Sequence, residues 1–258
     1  MDDITIKIIE DLKLNDAILI EGLPGIGLVG KIAADHLLDE LKGRKFAELY
    51  SVYLPPQVVI RKNGTVKLVN NEFYYVRQQS KDGRDIVILT GEFQGITPES
   101  QYRISDAILD IAKKINITTI YTLGGLGTGN ITHEPGVFGA ATSKEMIKKL
   151  KEHDVIIKSD GGIFGASGLI LGLGKMQGIE CACLMGETHG QIIDAKSAEA
   201  LLIVLTKILG IKIDMTKLEE KAKMTEKDIS AIDEMINVQK KEIEREMQLS
   251  KEIPSYIR

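Results

Sequence analysis

Short runs of branched aliphatic residues alternate with amphipathic stretches through roughly the first two hundred residues, and few architectures accept that rhythm. The strand-like runs are Ile4 to Ile9, Ala17 to Ile20, Ala47 to Tyr53, Gln57 to Arg61, Thr65 to Val69, Phe73 to Gln78, Asp85 to Leu89, Ile117 to Leu123, Val155 to Lys158 and Ile179 to Leu184. Helical spacing covers Lys31 to Lys42, Pro98 to Ile115, Gly139 to Lys151 and Ala195 to Leu209. The alternation predicts an α/β fold with a mixed, centrally parallel sheet and helices on both faces. Asn63-Gly64 is a type I′ turn signal, so Val58 to Val69 is expected to close into a hairpin. Thr97, Pro98 and Glu99 supply a cap, a first-turn proline and an acidic first turn.

Residues Gly25 to Ile32 occupy the turn after the second of these runs and satisfy two phosphate-loop spacings at once. Gly25, Gly27 and Gly30 make the dinucleotide pattern G-x-G-x-x-G; Gly25, Gly30 and Lys31 make G-x-x-x-x-G-K, a P-loop without its final Ser or Thr. The supporting residues are missing. Ile32 cannot ligate a metal, and the apolar strands ending at Thr90 and Leu123 supply no Asp, with Glu92 a weak substitute. The acidic residue for a ribose falls at Glu48, inside a strand-like run and not at its end. The competing reading is a tight turn whose glycines let a helix pack closely on a sheet.

Other glycine-rich loops are Gly91 to Gly95, carrying Glu92 and Gln94, Gly124 to Gly129, carrying Gly125 and Gly127, and Gly161 to Gly165. In a doubly wound sheet they gather near the carboxyl ends of the strands, where they can line a ligand pocket or an interface. Gly165-Ala166-Ser167-Gly168 approaches a nucleophile elbow but has Leu169 where glycine is required. His189 could pair with Asp194, and His133 sits beside Glu134; neither builds a catalytic set, and no spacing matches a metal motif. Neither a metal nor a cofactor is expected.

With 258 residues, 27% of them charged, and a net charge of −4, the chain has core enough for one large domain or two small ones and lacks the basic balance of a dedicated nucleic-acid binder. Cys181 and Cys183 lie two apart on one strand and point to opposite sides, so they are expected as buried, reduced thiols. Met1-Asp2-Asp3 is acidic where a signal peptide is basic, and the apolar stretch Ala200 to Ile213 is interrupted by Lys207 and Lys212. A cytoplasmic protein that binds no membrane is expected.

From Asp214 onward glycine and strand signals vanish. Ile211, Met215, Leu218, Ala222, Thr225, Ile229, Ile232, Ile236, Gln239, Ile243 and Glu246 follow a 4-3 spacing, a narrow seam suited to helix pairing. This gives an α/β domain over 1–213, a helical arm over 214–252 and a flexible tail over 253–258. The arm either folds back on its own domain or associates with another chain, with Leu218, Ile229, Ile232, Ile236 and Ile243 as the contact residues.

Gly22-Leu23-Pro24-Gly25-Ile26-Gly27-Leu28-Val29-Gly30, Gly91-Glu92-Phe93-Gln94, Thr122-Leu123-Gly124-Gly125 and Gly161 through Gly168 together resemble the PAC2 family, and more narrowly its archaeal proteasome assembly chaperone branch. The resemblance spans roughly residues 15 to 210. It implies a nucleoside-phosphorylase-like fold with no known cofactor or reaction. It also implies self-association, possibly as a tetramer, and ATP-independent assistance to assembly of the proteasome core particle through its α-subunits. Docking on the α-ring is expected in that branch through a terminal hydrophobic-tyrosine-any tripeptide. Here the last residues are Tyr256, Ile257 and Arg258, which places the tyrosine one position early. The alternative reading is a nucleotide- or small-ligand-binding enzyme using the glycine-rich loops.

Overall fold

The computed structural model describes residues 3–77, 83–130, 132 and 134–224. A nine-stranded sheet runs through it in the order β1 (Ile4–Ile8), β3 (Arg44–Ser51), β6 (Asn71–Val76), β7 (Ile86–Gly91), β2 (Ala17–Gly22), β8 (Ile117–Gly127), β11 (Glu180–Thr188), β9 (Val137–Ala141) and β10 (Ile156–Ile157). The central strands β7, β2, β8 and β11 are mutually parallel, while β1, β3 and β6 join antiparallel on one side and β9 on the other. Every residue of β2 and β7 is buried, as a strand covered on both faces requires.

Helices α2 (Pro98–Lys114) and α4 (Gly165–Met176) cover one face around Ile104, Ile108 and Ile170. Helices α1 (Val29–Leu41), α3 (Lys144–Lys151) and α5 (Ala195–Leu209) cover the other around Ala33, Leu37, Leu150 and Leu201. The sheet is therefore mixed, parallel at its centre and clothed on both sides. The expected hairpin forms as β4 (Val58–Ile60) and β5 (Val66–Leu68), a separate two-stranded sheet, but its turn is not type I′. Gly64 N donates to Arg61 O (2.8 Å) and, of Asn63 and Gly64, only Gly64 is left-handed (φ 80°), the pattern of a three-residue loop with a glycine bulge. Thr97 caps α2 through a reciprocal pair: its Oγ1 accepts from Ser100 N (3.2 Å), and Ser100 Oγ accepts from Thr97 N (2.7 Å).

Two elements depart from the sequence reading. Residues Val137–Ala141 form a strand beside β11, and the following helix starts only at Lys144, where Ser143 Oγ accepts from Met146 N (3.2 Å). Helix α4 has no counterpart among the predicted helices because it carries Gly165, Gly168, Gly172 and Gly174, which lower its intrinsic propensity. Tight packing explains two of them. A Cβ at Gly168 would lie 1.9 Å from Ile163 O, and one at Gly174 would lie 2.6 Å from Cys181 Sγ.

Beyond α5 a further helical segment, 216–224, lies against α1. Leu218 belongs to the domain's own core, Ala222 is buried, and His36 Nε2 donates to Asp214 O (2.8 Å). Leu218 is fully buried within the chain, so the first of the expected arm contact residues is already covered by its own domain. Ile229, Ile232, Ile236, Ile243, Tyr256, Ile257 and Arg258 lie outside the described residues.

Candidate functional site

The carboxyl ends of β2, β7 and β8 deliver the loops that begin at Gly25, Gly91 and Gly124 to one edge of the sheet, as the sequence pattern predicts. The Gly161–Gly165 loop reaches the same edge from β10, which runs antiparallel to them. The loop after β2 passes through the short 3-10 turn η1 (Ile26–Leu28) with Gly27 and Leu28 both left-handed (φ 62° and 53°), and α1 starts directly afterwards. Its glycines are filled by neighbouring chain, not left open for a ligand. A Cβ at Gly30 would lie 2.1 Å from Leu123 O, one at Gly22 would lie 2.3 Å from Ala34 Cβ, and one at Gly125 would lie 2.4 Å from Ile26 O. Gly27 O also accepts from Asp194 N (2.9 Å), tying the turn to the start of α5. Gly25 differs: a Cβ there would meet nothing within 4 Å.

Lys31, the lysine of the P-loop-like spacing, is committed elsewhere. Its Nζ pairs with Asp35 (2.7 Å) and donates to Thr90 Oγ1 (3.1 Å), while Thr90 donates to Asp35 (2.6 Å). Glu92 accepts from Lys67 (2.8 Å) and so fastens the β4–β5 hairpin to the end of β7. Gln94 joins three segments. Its Nε2 donates to Pro24 O (2.6 Å), and its Oε1 accepts from Ala166 N (2.9 Å) and from Gln101 Nε2 (3.0 Å). Gln94 thus fixes the β2 loop, the start of α4 and the start of α2 against one another.

Between these loops lies a cleft of about 240 Å³, walled by Leu23, Ile26, Leu126, Ile163, Phe164 and Ser167, with Gly25, Gly125 and Gly127 at its lining. Phe164, immediately before α4, is 87% exposed. Beneath the cleft sits Glu21, which the sequence motifs do not single out. It is only 1% exposed, and its carboxylate accepts from Leu23 N (2.9 Å) and from Ser167 Oγ (3.0 Å). Burial pushes its pKa up from 4.5 to about 7, against the lowering effect of those two hydrogen bonds. The one sequence signal for it is a lone carboxylate ending the apolar run Ala17 to Ile20.

The cleft therefore offers an apolar wall and Ser167, whose hydroxyl is held by Glu21 buried behind it. Burial pushes the nearby Cys183 thiol up to about 12, leaving it protonated and inert. Cys181 is likewise pushed up to about 12, and neither cysteine forms a disulfide. The pairing of His189 with Asp194 does not form. Asp194 instead caps α5, accepting from Ser197 N (2.9 Å), Ser197 Oγ (2.8 Å) and Thr188 Oγ1 (2.6 Å). His133 lies outside the described residues. Among the described residues no group of His, Cys, Asp and Glu could hold a metal ion, and no helix is long and apolar enough to cross a membrane.

A glycine-wedged β2 turn, a Gln94 clamp and an apolar cleft at the carboxyl edge accompany a family-model match, to the PAC2 family, over residues 19–233. The chain belongs to the PAC2 family. A Methanocaldococcus jannaschii protein without an assigned function is 44% identical to it over 230 residues, 89% of this chain and 88% of that one. Among solved structures, Pyrococcus furiosus PbaB, described as an archaeal proteasome activator, is 42% identical with a TM-score of 0.85, covering 90% of this chain and all of that one. Pyrococcus furiosus PbaA, described as an archaeal homolog of proteasome-assembly chaperone, is 28% identical with a TM-score of 0.73, covering 92% and 99%. In this PAC2 chain Gly25, Gly125 and Gly127 reach the cleft, whereas Gly27 and Gly30 are consumed in packing and Glu92 and Gln94 in bracing the loops.

Proposed function

We propose that this PAC2 chain is an ATP-independent, cytoplasmic assembly factor for the proteasome core particle, binding α-subunits or their intermediates as a homo-oligomer. The likeness to PbaA over nearly the whole of both chains carries the reading. The filled glycine turn and the committed Lys31 weigh against the nucleotide-enzyme alternative, because chain packs where the glycines would let a phosphate approach and the lysine is already paired. A factor of this kind works by binding intermediates more tightly than the finished particle, and needs no reaction of its own.

The 4-3 seam carried by Ile229, Ile232, Ile236 and Ile243 is the proposed association arm, and Tyr256, Ile257 and Arg258 the proposed docking tail. Capture of purified α-subunits by the full chain, weakened on removal of Tyr256 to Arg258, is the expected result. Undiminished capture by the shortened chain would remove the tail from the proposal, and no capture by either would remove the proposal itself. The greater likeness to PbaB favours a second reading, in which the finished core particle is the target. Peptide hydrolysis by mature core particles separates the two: an assembly factor leaves it unchanged, and an activator raises it.

The nucleotide alternative has its own check. A ligand at a hundredfold its Kd stabilises its site by about 2.7 kcal/mol. Saturating ATP or NAD is expected to give no rise in Tm, and Lys31→Ala no change in that response. A saturable rise abolished by that substitution would restore the enzyme reading.

A further inference from the structure

The two edges of the main sheet are unequal. β10 ends one side with only two residues, whereas β1 ends the other with five residues in unbroken antiparallel register on β3, Ile4 opposite Ser51 through Ile8 opposite Ala47. β1 carries neither the proline nor the bulge that commonly blunts an edge strand. Val52 N donates to Asp3 O (3.1 Å) and Ile9 N to Phe46 O (2.7 Å), so the same register extends one residue beyond each end. Odd-numbered residues thus turn their backbone groups toward β3. Ile4, Ile6 and Ile8 turn theirs outward, with no strand beyond them among the described residues.

We propose that this edge pairs antiparallel with β1 of a second copy of the chain, about a two-fold axis passing through Thr5. The strand is self-complementary in that register. Ile4 faces Ile6 of the second copy in two hydrogen-bonded pairs, which satisfies the outward groups of both residues. Thr5 faces Thr5, and Asp3 faces Lys7 twice, in the closely spaced positions where opposite charges gain most. Lys7 is available for this role: its side chain is 65% exposed, and it is the most distant of three donors to Glu48, at 3.3 Å against 3.1 Å for both Lys45 and Tyr50. Asp3 is exposed, and its carboxylate accepts from the exposed Tyr53 hydroxyl (3.1 Å), a contact that water can replace. On the opposite face Ile4 and Ile6 already pack against the core cluster beneath α2, so pairing continues that apolar layer across the axis. Charged residues on an edge usually discourage pairing. Here registers centred on Asp3 or Lys7 oppose like charges, and the register centred on Thr5 is the one that sets each Asp3 against a Lys7.

This inference does not depend on the proteasome reading, and sedimentation equilibrium of the full chain tests it. Asp3→Lys and Lys7→Glu, made separately, each place like charges opposite one another twice and are expected to weaken self-association by about tenfold or more. An equimolar mixture of the two variants is expected to associate with wild-type strength as mixed pairs, because each carries the charge the other needs. The double variant Asp3→Lys/Lys7→Glu is expected to recover as well. An unaltered mass distribution in the single variants, a monomeric wild type, or a mixture as weak as its components would overturn the pairing. Should Lys7→Glu fail to fold, Asp3→Lys alone must still weaken association at low salt and less so at high salt, and equal association at both would overturn it too.

Discussion

Gly30→Ala is expected to destabilise the protein by about 3 kcal/mol or more, and Gly25→Ala to leave stability within about 0.5 kcal/mol of the wild type. The two glycines are five residues apart in the same motif, and nothing in the motif itself distinguishes them. Their surroundings do. A methyl group on Gly30 would sit 2.1 Å from Leu123 O and 3.0 Å from Gly124 N, and the obstacle is strand backbone that no rotamer can clear. Helix α1 must then lift off β8, opening the layer where Val29, Ala33 and Leu123 pack. Gly25 has nothing within 4 Å and a φ of −149°, so alanine fits and slightly restricts the unfolded chain. At roughly 2–4 °C per kcal/mol for a chain of this size, thermal denaturation should separate the two variants by at least about 5 °C. Equal losses at both positions would mean that the turn is held by its glycine flexibility and not by the approach of α1 to β8.

The same contrast explains how much of the fold is legible in the sequence. Strand runs, the Asn63-Gly64 hairpin and the Thr97 cap rest on neighbours a few residues apart, and each appears where local spacing places it. Helix α4 does not, because its glycines are favourable only once Ile163 and Cys181 have arrived beside them. β9 merges, in sequence, with the helix that follows it: Gly139 and Ala140 read as a helix start, and only pairing with β11 makes them a strand. The site divides in the same way. The loops after β2, β7 and β8 are legible as a group at the carboxyl edge, since alternation fixes which ends of those strands they leave; the Gly161–Gly165 loop is not, because β9 and β10 run antiparallel to β11. The bracing role of Gln94 is not, because its partners Pro24 and Ala166 lie about seventy residues away in either direction. The three glycines of G-x-G-x-x-G illustrate the limit most sharply: spacing identifies a turn, and only the chain packed against it decides whether the turn can admit a phosphate.

Glu21→Gln is expected to stabilise the protein at about pH 8 by roughly 2–3 kcal/mol and to leave it nearly unchanged at about pH 4. The carboxyl is raised from 4.5 to about 7 chiefly by burial. Below the unfolded value both states hold the proton, and ionisation costs nothing. Between the two values the unfolded chain releases the proton while the folded chain keeps it, so stability falls as pH rises. Above about pH 7 both states are ionised and the full cost of a buried carboxylate is present, about 3 kcal/mol for such a shift. Glutamine keeps the shape, lets Leu23 N retain an acceptor and offers Ser167 a donor, but has no charge to bury. Glu48 and Glu72 have lowered pKa values, so their contributions are lost only on acidification below the ordinary carboxylate range and leave this window flat. Urea unfolding across the window should show wild-type stability declining toward alkaline pH and the Glu21→Gln curve lying level above it. Parallel curves would place the ionisable group elsewhere. A Glu21→Gln protein less stable at every pH would mean that the ionised carboxylate, held by Leu23 and Ser167, supports the cleft instead of straining it.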